Sequence, residues 1–198
     1  MKKVFVSQRV DVIESYNERR DALDQRFAVM LNLIGCLCMP MPNDTHVIRA
    51  LWNHAAPDAV ILSGGNDPVE YGGFAPERDA ADNALIELCV AHNVPLLGIC
   101  RGMQSVILHF GGSLNKTQGH VGVRHDLQGV FAGNVNSYHN FAPCELPNSL
   151  VTLSFADDGC IEHVCHKDLQ IFGIMWHPER ENPTCQIQLK HVKEMLCL

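Results

Sequence analysis

Val94-Pro-Leu-Leu-Gly-Ile-Cys100-Arg-Gly-Met-Gln104 reads as a buried strand running straight into a helix, with a cysteine at the corner. The spacing Gly98-x-Cys100-x-Gly102 has a steric reason. A turn this sharp brings together the residues two before and two after the corner, where side chains would collide. The thiol of Cys100 gains exposure above the carboxyl edge of a sheet and the positive end of the following helix, where negative charge is favoured. The pattern is that of a nucleophile elbow, although a glycine-flanked cysteine is also a packing solution and needs partners elsewhere to count as chemistry. Gln104, one turn on, can face the same mouth.

The partners lie far away in the chain. Ile171-Phe-Gly-Ile-Met175 is an apolar run expected to be a buried strand, and it ends in Trp176-His177-Pro178-Glu179-Arg180. His177 at a strand end is a candidate base. Glu179, two residues on, can hold one imidazole nitrogen while the other faces the thiol, and Pro178 limits the wobble between them. Upstream, Ala59-Val-Ile-Leu62 is a second buried parallel strand and feeds Ser63-Gly-Gly-Asn-Asp-Pro68. The backbone N–H of Gly65 together with that of Arg101 could form an oxyanion hole, with Gly64 allowing the close approach.

The remaining elements support an α/β sheet protein. Lys2 to Ser7 is a first strand, and Arg9 at its carboxyl end is a substrate-contact candidate. Glu18 to Leu33 carries Ala22, Leu23, Phe27, Met30 and Leu31 at helical spacing before Gly35, which predicts one helix. Cys36 to Met41 predicts a strand, and Asn43-Asp44-Thr45 caps a helix reaching about Asn53. Helices are also expected over Ala80 to His92, Met103 to Phe110 and Thr184 to Leu198. Ser113 to His125 reads as a loop bearing Lys116, His120, Arg124 and His125, a positive cluster able to hold a phosphate or carboxylate. Asn136-Ser137-Tyr138-His139 reads as a small-molecule contact segment. Val151 to Phe155 and Ile161 to Cys165 form a hairpin around Asp157-Asp158-Gly159.

At 198 residues and 46% hydrophobic content, one domain spanning 1–198 can bury a full core without metal or staples. The formal charge of −7 argues against general nucleic-acid binding. The apolar run Val4-Phe-Val6 is too short for a signal peptide and no stretch is long enough to span a bilayer, so a cytoplasmic protein without membrane partners is expected. Nine cysteines lack a disulfide spacing and read mostly as inert core thiols.

Together, Gly98-Ile-Cys100-Arg-Gly102-Met-Gln104, Leu62-Ser-Gly-Gly65 and His177-Pro-Glu179 resemble the class I glutamine amidotransferase domain, over Ala59 to Arg180. The resemblance implies a flavodoxin-like three-layer α/β sandwich with a central, mostly parallel sheet. It implies a Cys100–His177–Glu179 triad, an oxyanion hole from the backbones of Gly65 and Arg101, and glutamyl contacts from Gln104 and Asn136 to His139. It implies no metal and no organic cofactor. Arg101 after the nucleophile, Gly65-Asn-Asp-Pro68, Tyr71-Gly72 and Arg78-Asp79 resemble the free-standing γ-glutamyl hydrolases of the γ-glutamyl-γ-aminobutyrate type. Ser7-Gln-Arg9 and Gly119-His-Val-Gly-Val-Arg-His125 look closer to amidotransferase-like proteins of bacterial surface-sugar genes, among them a hydrolase of γ-glutamyl-CDP-amidate. On that resemblance Arg9, His120 and Arg124 are expected to meet a nucleotide-linked γ-glutamyl substrate. Alternatives are a γ-glutamyl-γ-aminobutyrate hydrolase of polyamine catabolism, a glutaminase subunit feeding ammonia to a synthase partner, and a catalytically silent binding module. The oligomeric state is left open, a homodimer included.

Overall fold

The computed structural model describes residues 1–198. Thirteen strands and five α-helices alternate through most of the chain. The strands are β1 (Lys2–Ser7), β2 (Arg9–Ile13), β3 (Glu18–Ala22), β4 (Cys36–Met41), β5 (Ala59–Leu62), β6 (Leu96–Ile99), β7 (Ser113–Lys116), β8 (Val121–Gly129), β9 (Gly133–Tyr138), β10 (Phe141–Glu145), β11 (Leu150–Ala156), β12 (Ile161–His166) and β13 (Ile171–Ile174). The helices are α1 (Arg26–Leu33), α2 (Thr45–Ala55), α3 (Pro76–His92), α4 (Arg101–His109) and α5 (Gln186–Met195).

Nine strands make one sheet in the order β4-β1-β5-β6-β13-β12-β11-β8-β9. The first five are mutually parallel and the rest continue antiparallel. The parallel part is apolar on both faces because helices cover both. Val4, Val6, Ala59, Ile61, Leu97 and Ile99 meet α1 and α5 in one core layer. Phe5, Val60, Leu62 and Leu96 meet α2, α3 and α4 in the other. Each such fully buried aliphatic side chain contributes about 1.5–3 kcal/mol over an exposed one, which is why continuous apolar runs appear here. This is the three-layer, flavodoxin-like sandwich. No helix is long and apolar enough to cross a membrane.

Two expectations are corrected. The single helix over Glu18 to Leu33 is instead a strand followed by a short helix. Glu18–Ala22 pairs antiparallel with β2, Arg9 opposite Ala22, and only Arg26–Leu33 is helical. The hairpin's charges pair within each strand, Arg20 with Glu18 at 2.9 Å and Arg9 with Asp11 at 3.0 Å, while Asp21 accepts from Asn43 at 2.6 Å. The loop expected over Ser113 to His125 is largely β7 and β8, paired with β10 and β9. Among the nine cysteines, all unbonded to one another, Cys144 and Cys197 are exposed rather than core.

Candidate active site

Every parallel strand ends at one edge of the sheet, and the chemistry-bearing segments gather there. β6 delivers Cys100, whose backbone sits at φ 53° and ψ −105°, a conformation unusual for a residue with a Cβ. Its N–H donates to Ile174 O of β13 at 2.7 Å, and its carbonyl accepts from Gln104 N at 3.1 Å. The two flanking glycines are sterically required. A Cβ on Gly98 would run into the Gly102 backbone, and one on Gly102 into the carbonyl of Leu62.

β13 delivers His177. It is 1% exposed, and its Nδ1 lies 2.6 Å from Glu179 Oε1. Cys100 is the other group that acts on the ring electrostatically. Burial works against the charged imidazole, but the Glu179 carboxylate and Cys100 outweigh it and push the ring up to about 9. At neutral pH the imidazole therefore holds a proton beside the sulfur. Asn136 of β9 fixes the backbone beneath this ring, accepting from His177 N at 2.9 Å and donating to His177 O at 2.8 Å.

β5 delivers the glycine turn. Gly65 has φ +95°, and neither its N–H nor that of Arg101, at the first position of α4, donates to a protein acceptor. The turn is held from below by Arg78, a fully buried guanidinium of α3. It donates to Ser63 O and Gly65 O at 2.5 Å each and to Gly64 O at 3.2 Å. Burial lowers Arg78 to about 10, so it remains charged. From the other side Asn66 exchanges hydrogen bonds with both backbone polar groups of Val10, at 2.7 and 3.0 Å. Three carbonyls pulled toward one cation fix the turn, and the Gly65 N–H is left without a protein acceptor. Sequence reasoning misses Arg78 and Asn66 as supports of this turn. A signal exists: Arg78, Asp82 and Leu85 share one stripe of α3, so two charged residues stand at core positions.

Arg101 contributes its backbone only. Its side chain turns away, paired with Asp79 and Asp82 and accepted by Ser105 Oγ at 2.6 Å. A cleft of ≈ 440 Å³ lies behind it, lined by residues that include Glu70, Asn83, Glu87 and His109, and neither Cys100 nor His177 borders it.

Gly64 packs on the imidazole itself, since a Cβ there would stand 2.6 Å from His177 Cε1. The side chain has nowhere to go but into the ring. Gly64→Ala is expected to displace His177 and lower kcat/KM about 10²-fold, the cost of a displacement near 1 Å, with little change in melting temperature. A rate within twofold of the parent would show that the ring tolerates the methyl group.

The expected substrate contacts separate into two groups. Arg9 lies on Gly65, its side chain 3.0–3.3 Å from where a Cβ would be, and stays partly exposed. Tyr138 places its ring 5.7 Å from that of His177, under the Arg180 guanidinium at 4.8 Å. Gln104 donates to Phe141 O at 3.1 Å and its buried Oε1 has no partner. Of these three, Arg9 and Tyr138 keep exposed surface beside the Gly65 turn and the His177 ring, and Gln104 is buried. Asn136, Ser137, His139, His120 and Arg124 are all engaged with protein partners. Asn136 is occupied with the His177 backbone. Ser137 Oγ donates to His120 O at 2.7 Å, and His139 is buried between Phe141 O and Glu162. His120 faces Asp158 at 2.8 Å, and Arg124 is held by Glu181 and Asn134. The positive cluster is thus neutralised strand by strand.

Residues 14–187 match the family described as Glutamine amidotransferase class-I. The γ-glutamyl-CDP-amidate hydrolase of Campylobacter jejuni is 36% identical over 189 residues, 94% of either chain. Among solved structures, a Thermoplasma acidophilum protein described as a GMP synthase subunit superposes with TM-score 0.76 at 21% identity, covering 100% of this chain and 93% of that one. A glutamine amidotransferase of Thermotoga maritima superposes with TM-score 0.66 at 15% identity, covering 98% and 84%.

Proposed function

The chain belongs to the class-I glutamine amidotransferase family, and on that premise we propose that it hydrolyses a γ-glutamyl amide through a thioester on Cys100. The observation that carries this reading is the buried imidazole of His177, held by Glu179 on Nδ1 and acted on by Cys100 of the elbow. The thiolate attacks the γ-carbonyl, and the oxyanion is received by the N–H groups of Gly65 and Arg101. His177 gives its proton to the departing nitrogen, then takes one from water, which cleaves the thioester to glutamate. Glu179 holds the imidazole through both steps. No step calls for a cofactor.

Within the family, we read the substrate as γ-glutamyl-CDP-amidate, giving glutamate and cytidine diphosphoramidate for surface polysaccharide assembly. The Campylobacter jejuni relative of that name supports this, matching nearly end to end. So does the cationic rim. Arg9, Arg26 and Arg124 are each about half exposed and each paired to a single carboxylate. The Arg9–Asp11 pair is exposed on both sides, and such a pair holds by about 0–1 kcal/mol, so a pyrophosphate can exchange for that carboxylate at small cost. A γ-aminobutyrate leaving group has no use for three guanidinium groups, and the isolated chain is read as working without a synthase partner.

The test varies only the group on the γ-nitrogen. Glutamate release is measured from γ-glutamyl-CDP-amidate, γ-glutamyl-γ-aminobutyrate and glutamine. The nucleotide substrate is expected to lead in kcat/KM by about 10²-fold or more, as one or two lost charge-assisted contacts would give. Equal rates on all three would remove the nucleotide assignment and leave the hydrolase.

A further inference from the structure

Behind β9 lies a second group of chemistry-bearing side chains that the proposed reaction does not use. His120, His139, Cys160 and Glu162 each place a ligand atom within 4.8 Å of the others, and the first, second and fourth are buried. They come from four separate places: the turn before β8, the link between β9 and β10, the turn before β12, and β12 itself.

Hydrogen-bond bookkeeping shows what this group lacks. His139 Nδ1 is 3.1 Å from Phe141 O, which can only accept, so the ring proton belongs on Nδ1. Nε2 faces Glu162 Oε1 at 3.1 Å, so a neutral ring has one proton to offer two acceptors. The same happens at His120. Its Nε2 is 2.8 Å from Asp158 Oδ2, while Nδ1 faces Glu162 Oε1 at 3.5 Å and has no hydrogen-bond partner. Glu162 Oε2 is also unpartnered, although Glu162 is fully buried. Without metal, Glu162 and Asp158 hold the His120 ring up to about 9, so a proton fills its inward side, yet the buried Glu162 Oε2 is still left without a donor.

A cation supplies what is missing, and the outer contacts suit one. Histidines that bind metal almost always donate their other N–H to a carboxylate or backbone carbonyl. Here the His120 proton goes to Asp158 and the His139 proton to Phe141 O, leaving Nδ1 of the first and Nε2 of the second directed inward. Two imidazoles, one carboxylate and one thiol are the ligand types of zinc. Tetrahedral zinc sets its donors about 3.4–3.8 Å apart, so the present spread requires inward movement of about 1 Å. Cys160 is only partly buried, and a cavity of ≈ 260 Å³ bordered by Gly119, His120, His125 and Asp158 gives a route in.

We propose that His120, His139, Cys160 and Glu162 bind one zinc ion as a structural site. Binding takes the proton from the Cys160 thiol and from each inward imidazole nitrogen that holds one, and releases them to solvent. Four protein ligands close the coordination sphere, so the ion ties the strands together instead of meeting substrate. It also anchors the active-site floor: Phe141 O, which accepts from His139, accepts from Gln104 as well, and Tyr138 precedes His139 directly.

The test uses the full chain carrying Cys100→Ala, which removes the other buried thiol that faces a histidine. Zn²⁺ is titrated with metal analysis after dialysis, Co²⁺ by absorption, and Cys160 by alkylation and peptide mapping with and without Zn²⁺. One Zn²⁺ per chain is expected, with a sulfur-to-cobalt charge-transfer band and Cys160 protected from alkylation by Zn²⁺. Cys160→Ser should abolish the band, and His120→Ala should weaken Zn²⁺ binding at least 10-fold. Less than stoichiometric Zn²⁺, or a Cys160 alkylated as fast with Zn²⁺ as without it, overturns the site, and neither result needs a folded variant. A charge-transfer band retained in folded Cys160→Ser also overturns it.

Discussion

Cys100→Ala is expected to lower γ-glutamyl hydrolysis by about 10⁵-fold or more, in line with removal of a nucleophile from a unit that acts together. Folding should survive. The sulfur is a small part of a packed corner, the left-handed backbone at φ 53° is no harder for alanine than for cysteine, and the cost should be about 1 kcal/mol. Near-ultraviolet circular dichroism and the denaturation midpoint check the fold, and glutamate release checks the rate. Substrate binding should persist, because the Gly65 turn and its Arg78 support do not involve the sulfur. A variant that keeps full activity would remove Cys100 from the chemistry.

Glu179→Gln should have the second largest effect, about 10²–10⁴-fold on kcat. The amide can still touch Nδ1 but no longer carries the charge that opposes burial. Burial then dominates and moves the His177 ring downward from about 9. The sign follows. The ring must hold a proton for the departing nitrogen, so kcat/KM of the parent should fall as pH rises through about 9. In the variant that fall should begin at lower pH. A rate loss without movement of the basic limb would mean that Glu179 only positions the ring and does not set its proton affinity.

Much of this site is legible in the sequence because its signals are local and steric. Gly98 and Gly102 must be glycine at a strand-to-helix corner, and the runs Ala59–Leu62 and Ile171–Ile174 are apolar on both faces because helices cover both. Asp44 caps α2 as its sequence suggests, accepting from His46 N and Val47 N at 2.9 and 3.0 Å. The antiparallel half carries no such signal. β8 is exposed at most of its positions, so no apolar alternation marks it as a strand. β3 is nearly all charged, so no apolar alternation marks its pairing with β2. Ala22 and Leu23 match the helical period of α1 by coincidence.

The charged loop shows the same limit. Lys116, His120, Arg124 and His125 look like an anion site when counted along the chain. In three dimensions Asp158, Glu162 and Glu181, all more than thirty positions away, take up three of those charges. Of the expected contacts at the mouth, Arg9 and Tyr138 keep an exposed surface. Arg78 is hard to read as a support of the oxyanion turn because its partners are backbone carbonyls. Of the four proposed zinc ligands only Cys160 and Glu162 are neighbours in the chain; His120 and His139 come from other segments.

The most direct measurement is the covalent state of Cys100 during turnover. Acid quenching with γ-glutamyl substrate in excess, followed by peptide mass mapping, should show the Cys100 peptide carrying one glutamyl group. The adduct should be lost on hydroxylamine treatment and absent from Cys100→Ala. Steady turnover with the Cys100 peptide unmodified, or with the glutamyl group on another residue, would contradict the thioester and with it the role given to His177.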